Sequence, residues 1–204
     1  MFPKIEKIQP EEFTPLETDE EVFDKYVRGL DLTSEDFNKK ILDVGGGRAQ
    51  FARWAKENHI SDKIFTIDPY AISATVAEQK SKSVAGRVQD LPFQNESFDL
   101  VVSSGAVPMI FGGMEEADEI ANAIFVSLKE ELRVLKPGGE IRFGPIPAAS
   151  TAIKRHAILN QELYYVLHEL ENAGEIEVKM VSRGKRPTME KSDQWYLFKI
   201  KKLR

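Results

Sequence analysis

The residues best suited to chemistry in this sequence are three consecutive glycines, one acid shortly before them and one acid further along the chain. Gly45, Gly46 and Gly47 follow a short apolar run, and a helical pattern begins directly after them. Adjacent glycines cost backbone entropy, so a fold keeps them where the backbone takes positive φ or lets another molecule approach closely. Asp43 precedes them, and Asp68 ends the next apolar run about 20 residues later. This pattern predicts a nucleotide-binding turn between a strand and a helix.

The two acids and one missing glycine narrow the kind of nucleotide. Asp68 stands at the distance expected of an acid that accepts hydrogen bonds from both ribose hydroxyls, or it simply begins a turn with Pro69. Asp43 would repel a pyrophosphate but suits a positively charged ligand. Gln50 occupies the place of the third glycine in the dinucleotide motif G-x-G-x-x-G. These residues disfavour a dinucleotide site. A plain glycine-rich turn without a ligand stays an alternative.

The elements that must position these residues alternate along the chain between short apolar runs and longer helical stretches. This alternation is typical of βα units around a parallel sheet. Strands are predicted near 40–44, 63–68, 84–88, 98–103 and 139–144, and helices near 49–58, 71–80, 115–135 and 150–172. Two further strand-like runs at 175–181 and 195–200 have no helix between them, so we expect them to pair antiparallel. The sequence therefore predicts an α/β fold.

The first 38 residues differ from the rest and are predicted to form an N-terminal extension. Three prolines among charges indicate an extended lead-in, and Thr18 with Glu21 has the spacing of a capping box. An amphipathic helix is predicted from about 19 to 30. Residues 39–204 would then form the main domain.

Composition excludes several classes of function. Of 204 residues, 42% are hydrophobic and 30% charged, as in an ordinary globular protein, and no cysteine is present to form disulfides, a thiolate nucleophile or a cysteine-rich zinc site. We also expect no metal site. Since neither a signal peptide nor a membrane-spanning run is present, we expect no membrane association and a cytoplasmic location. The net charge of −5 disfavours DNA. The basic stretches at 183–186 and 199–204 leave RNA or an acidic protein partner open.

Three segments together resemble the class I S-adenosylmethionine-dependent methyltransferases. Residues 41–49 are similar to the first motif of that family, with Ala49 replacing the usual last glycine. Residues 88–93 and 97–103 are similar to its third and fourth strand segments, and 131–140 to the helix and turn before its fifth strand. The resemblance covers roughly residues 40–144 and keeps the family's order. It implies a doubly wound, mainly parallel seven-stranded sheet of order 3-2-1-4-5-7-6, with the last strand antiparallel and helices on both faces.

The same resemblance implies S-adenosylmethionine as cofactor and assigns residues to it. They are Asp43, Gly45, Gly46 and Gly47 around the aminocarboxypropyl group, Asp68 at the ribose, Tyr70 near the adenine, Asp90 and Leu91 at the adenine edge, and Ser103 and Ser104 near the methyl donor. In this assignment Asp90 ends the third strand and accepts a hydrogen bond from the adenine amino group. The favoured alternative for Tyr70 is that it simply begins the next helix.

The implied activity is methyl transfer to a small-molecule acceptor, mainly by positioning. No catalytic base is assigned, because His59, His156 and His168 all have ordinary structural interpretations. The apolar loop 105–114 and the loop 144–147 are expected to select the acceptor. A non-catalytic or regulatory binding protein with this fold is the alternative hypothesis, and an NAD-dependent oxidoreductase is the third.

Overall fold

Strands and helices alternate through most of the chain in the computed structural model, which describes residues 17–69, 82–147, 154–185 and 194–204. The helices are α1 (Asp19–Leu30), α2 (Gln50–Glu57), α3 (Ala117–Val134) and α4 (Lys154–Asn172), with short 3₁₀ turns at Asp36–Asn38 and Met109–Gly113. The strands are β1 (Ile41–Val44), β2 (Ile64–Asp68), β3 (Ser83–Ala85), β4 (Phe98–Ser104), β5 (Leu135–Pro147), β6 (Ile176–Lys185) and β7 (Gln194–Lys202). The helix predicted at 71–80 lies outside the described residues.

The seven strands of the described chain form one sheet in the order β3-β2-β1-β4-β5-β7-β6. Strands β1 to β5 are parallel, and β7 runs antiparallel to both of its neighbours. The predicted fold class and strand order are confirmed. The order reverses at β1 and β4, which places their carboxyl ends at the crevice where open α/β sheets bind ligands.

Helices cover the central strands on both faces, which explains why these strands are apolar without strict alternation. Leu42 and Val101 pack in the cluster that includes α3 and α4. Ile41 and Leu100 pack in a second cluster with residues of α1 and α2, among them Phe51. The central strand β1 is therefore buried along its whole length.

The predicted N-terminal helix is confirmed, together with its capping box. The Glu21 N–H donates to Thr18 Oγ1 at 3.2 Å, and the Thr18 N–H donates to Glu21 Oε2 at 2.8 Å. Asp19 binds Arg53 of α2, with 2.6 Å between Arg53 Nη2 and Asp19 Oδ1. Helix α1 is thereby held against α2, next to the glycine turn.

Two strand boundaries differ from those predicted. Strand β3 is only three residues long, because β2 pairs with it over Thr66 to Asp68 alone. Strand β5 begins at Leu135, well before the predicted 139. Phe98 pairs with Leu135 and Leu100 with Glu140, so the residues between Leu135 and Glu140 form an irregularity in the ladder. Helix α3 ends at Val134, and the sequence Pro137-Gly138-Gly139 lies within strand β5.

Candidate functional site

The glycine turn connects β1 to α2 in a conformation that demands glycine. Gly45 and Gly47 have φ values of 75° and 53°, in the left-handed region. A Cβ on Gly45 would lie 2.3 Å from the Ala106 Cβ, and one on Gly46 would lie 2.0 Å from Asp43 Oδ2. Ala49 also has positive φ, at 56°, where the resemblance led us to expect glycine. The turn is closely packed on both sides.

A pocket of about 360 Å³ opens beside this turn, at the carboxyl ends of β1, β2 and β4. Most of its lining is apolar, and Asp68 and Arg87 are its charged residues. The pocket is lined by Val44, Gly45, Ile67, Asp68, Pro69, Gly86, Arg87, Val88, Gln89, Ala106, Val107, Ile110, Phe111 and Met114. An apolar cleft with a few polar groups, at the switch point of the sheet, is the usual form of a small-ligand site.

Asp68 lies where the sequence placed it, at the end of β2 and at the wall of the pocket. Its side chain is largely buried, and its Oδ2 accepts a hydrogen bond from the Gly47 N–H at 3.0 Å. This bond fixes the carboxylate against the glycine turn. The structure thus brings Asp68 and Gly45 together at one pocket.

Asp43 lies beneath the turn and does not line the pocket. It is fully buried, and its Oδ1 accepts a hydrogen bond from the Tyr26 hydroxyl of α1 at 2.9 Å. Burial raises the pKa of Asp43 to about 7, the charge of Asp68 raises it further, and the Tyr26 hydrogen bond opposes both. The packing of α1 on this face, which the local sequence does not reveal, leaves this carboxyl beneath the turn, and its role at the cofactor stays a prediction.

The prediction that Asp90 ends the third strand is wrong. Strand β3 ends at Ala85, and Asp90 follows a turn in which its N–H donates to the Arg87 carbonyl at 3.1 Å. Asp90 is exposed and outside the pocket lining. The Leu91 side chain is buried in the core, and its N–H already donates to Glu130 Oε2 at 2.9 Å. Tyr70 lies outside the described residues.

The two serines at the end of β4 also lie off the pocket wall. Ser103 is fully buried, and its Oγ accepts the Val107 N–H at 2.9 Å, which fixes the start of the loop that follows. Ser104 is half-buried at the end of the strand. The loop that follows lines the pocket through Ala106, Val107, Ile110, Phe111 and Met114, and its role in selecting the acceptor stays a prediction.

Sequence reasoning missed the segment that faces the pocket from the end of β3. Gly86, Arg87, Val88 and Gln89 line it, one to four residues before the predicted Asp90. The short length of β3 displaces the contact, and nothing in the local pattern of residues 84–88 indicates where that strand stops. The described residues hold no group of three or more metal-ligating side chains, and none of the helices among them is long and apolar enough to cross a bilayer.

Comparison with known proteins shows the family to which the chain is similar. The profile of a family described as "Methyltransferase domain" matches residues 42–143, half of the chain. A search of curated proteins gives no match.

Solved structures share the fold at low sequence identity. The N-methyltransferase NodS from Bradyrhizobium japonicum WM9 superimposes with a TM-score of 0.57 at 16% identity, covering 91% of this chain and 97% of its own. NodS in complex with S-adenosylhomocysteine gives a TM-score of 0.52 at 17% identity, over 79% and 76%. A Methanosarcina mazei protein described as an S-adenosylmethionine-dependent methyltransferase gives a TM-score of 0.57 at 15% identity, over 81% of this chain and 92% of its own.

A fourth structure, from Haloferax volcanii, contains the Trm112 methyltransferase activator in complex. Its TM-score is 0.52 at 17% identity, over 90% of this chain and 92% of the matched one.

Proposed function

The chain belongs to the methyltransferase-domain family, whose cofactor is S-adenosylmethionine, and on that premise we propose that it is an active enzyme for a small, partly apolar acceptor. The observation that carries this proposal is the pocket beside the glycine turn. It combines a carboxylate at the end of β2 with an apolar wall from the loop after β4. The bound S-adenosylhomocysteine in NodS supports the same assignment.

The residues present fit the cofactor on two observations. Gly45 lines the pocket without a side chain, so its backbone allows close approach of a ligand. The Gly47 N–H holds the Asp68 carboxylate at the pocket wall, and a carboxylate there is a suitable acceptor for ribose hydroxyls. When bound, the cofactor supplies a methyl group on a sulfonium, which already has a good leaving group.

The chain's own contribution is to position the acceptor and to exclude water. Ile110 and Met114 line the pocket and keep 56% and 37% of their surface exposed. Exposed apolar side chains at a pocket rim favour a ligand with apolar surface of its own. Orientation of two reactants in one pocket can supply most of the acceleration that such a transfer needs.

The basic residues near the C-terminus support a small acceptor over a nucleic acid, because several are already engaged. Arg183 and Lys199 both pair with Asp31, at 3.3 and 2.7 Å. Lys202 Nζ donates to the Leu135 carbonyl at 2.8 Å. Cations that hold the fold together contribute less to phosphate binding than free ones.

The cofactor assignment is tested by calorimetry with S-adenosylmethionine, S-adenosylhomocysteine and NAD. We expect both sulfur nucleotides to bind and NAD not to bind. Asp68→Ala should lower the affinity for S-adenosylmethionine by about tenfold or more, because hydrogen bonds to a charged acceptor are lost. Asp68→Asn keeps an acceptor for the Gly47 N–H and separates ribose binding from support of the turn. Asp62→Ala, at a side chain that is 74% exposed, is the matched control.

The acceptor class is tested by incubation with radiolabelled S-adenosylmethionine and separate pools of small amines, hydroxyl compounds, RNA and protein. Label in a small-molecule pool is the expected result. Label confined to RNA or protein would contradict the acceptor class. Cofactor binding without transfer to any pool would favour the regulatory alternative.

A further inference from the structure

Tyr26 of helix α1 reaches the underside of the glycine turn, on the side opposite the pocket. Its ring is nearly buried and stacks on Phe51, the second residue of α2, with 4.3 Å between ring centroids. Its hydroxyl donates to Asp43 Oδ1 at 2.9 Å. The Asp19–Arg53 ion pair and a 2.8 Å bond from Gln50 Nε2 to the Glu17 carbonyl hold α1 in this position.

The carboxylate that Tyr26 contacts is unusual, because half of it has no partner. Asp43 Oδ2 and Thr66 Oγ1 are buried, and neither makes a hydrogen bond of good geometry. Both side chains lie directly under Gly46, since a Cβ there would be 2.0 Å from Asp43 Oδ2 and 2.6 Å from Thr66 Cγ2. Buried polar atoms without partners are rare in proteins and call for an explanation.

The charge on Asp43 depends on the groups that face it. These are Tyr26 from α1 and Thr66 and Asp68 from β2. The Tyr26 hydroxyl stays a donor at all working pH values, because burial and the neighbouring acids raise its own pKa well above the usual value. The hydroxyls of Tyr26 and Thr66 both favour the ionised form of this carboxyl, and that of Tyr26 makes a hydrogen bond of good geometry to it, at 2.9 Å.

We propose that Tyr26 is a positioning residue of the cofactor site, which favours the ionised form of the Asp43 carboxyl beneath the glycine turn so that α1 docking and binding of the cationic cofactor strengthen each other. The negative charge attracts the sulfonium and ammonium groups of S-adenosylmethionine across the turn. S-adenosylhomocysteine lacks the sulfonium charge, so the negative charge of Asp43 raises its affinity less. The inference rests on the proposed cofactor and adds helix α1 to the site.

Calorimetric titration of Tyr26→Phe with both nucleotides, from pH 6 to 9, tests this role. The change removes one hydroxyl and keeps the ring that stacks on Phe51. Asp43 loses the Tyr26 hydrogen bond, the pKa of Asp43 rises, and more of it is protonated at pH 7. We expect S-adenosylmethionine to bind about tenfold more weakly at pH 7, S-adenosylhomocysteine to change less, and much of the loss to disappear by pH 9.

Two further variants separate this role from a structural one. Asp43→Asn removes the titration, so the pH dependence should vanish, and Tyr26→Phe should add little in that background. Tyr165→Phe, at an exposed residue of α4, is the matched control and should leave both affinities unchanged.

The outcomes distinguish this inference from the proposed function. If the unmodified protein binds neither nucleotide, the proposed function fails. If it binds both, and Tyr26→Phe weakens them equally at every pH or not at all, then Tyr26 only packs, and the inference is overturned. A selective loss for S-adenosylmethionine at low pH supports it.

Discussion

Replacement of Gly46 by alanine tests whether the glycine turn packs against rigid, buried side chains beneath it. The added Cβ would lie 2.0 Å from Asp43 Oδ2, 2.6 Å from Thr66 Cγ2 and 2.7 Å from Asp43 Cγ. Both side chains are fully buried in neighbouring strands, and β1 is covered on both faces. Neither can move away without displacing the core around it.

The expected cost follows from comparison with the next glycine. Gly47 has a φ of 53° and no atom within 4 Å of an added Cβ, so alanine there should cost about 1 kcal/mol of stability through the left-handed conformation alone. Gly46→Ala introduces an overlap in a close-packed region, and we expect a loss of about 3 kcal/mol or more. The two variants differ by one position and add the same methyl group.

Urea unfolding of both variants measures this difference through the midpoint at an unchanged slope. Calorimetry with S-adenosylmethionine should show a larger loss of affinity for Gly46→Ala than for Gly47→Ala, because the turn must move away from Asp43 and Thr66. In an Asp43→Ala background the same change should cost less, since the overlaps with Asp43 Oδ2 and Asp43 Cγ are then absent.

Equal stability of the Gly46→Ala and Gly47→Ala variants would refute this reasoning. It would show that the Asp43 carboxyl yields easily and that the turn is not supported from below. An equal cost of Gly46→Ala with and without Asp43 would lead to the same conclusion.

Two other predictions concern the turn and the core. Gly45→Ala should destabilise the protein through overlap with the Ala106 Cβ, and Ala106→Gly should restore part of the loss of melting temperature while the strain at φ 75° persists. Glu131 is fully buried, and burial raises its pKa from 4.5 to about 8. The folded state therefore holds a proton that the unfolded state loses, so stability should fall as pH rises from about 4.5 to about 8. Glu131→Gln should flatten that part of the decline in urea-unfolding experiments, and an unchanged slope would contradict the assignment.

Much of the fold was predictable because it depends on local chemistry. The capping box of α1 uses the side chains of Thr18 and Glu21 within one turn, and the structure confirms it. The alternation of apolar runs predicted the parallel strands, and the antiparallel tail followed from the absence of a helix between its two runs. The strand order came from the family resemblance, because periodicity alone does not determine which strands become neighbours.

The site was predictable only in part, for reasons that differ between residues. Asp68 and Gly45 line the pocket because each is at the carboxyl end of a central strand, which the sequence marks clearly. Asp90 does not, because the end of β3 is determined by its pairing with β2 rather than by its own residues. Ser103 lies at a strand end, yet its hydroxyl binds the Val107 N–H.

The sequence by itself determined that a glycine turn follows the first strand and that acids flank it, since residue types and spacing are local properties. Only the tertiary structure decided which side of the turn each acid occupies. Asp68 faces the pocket, whereas Asp43 faces Tyr26, 17 positions earlier in the chain. Contacts between distant segments depend on how helices dock on the sheet, and that docking depends on the packing of the whole core.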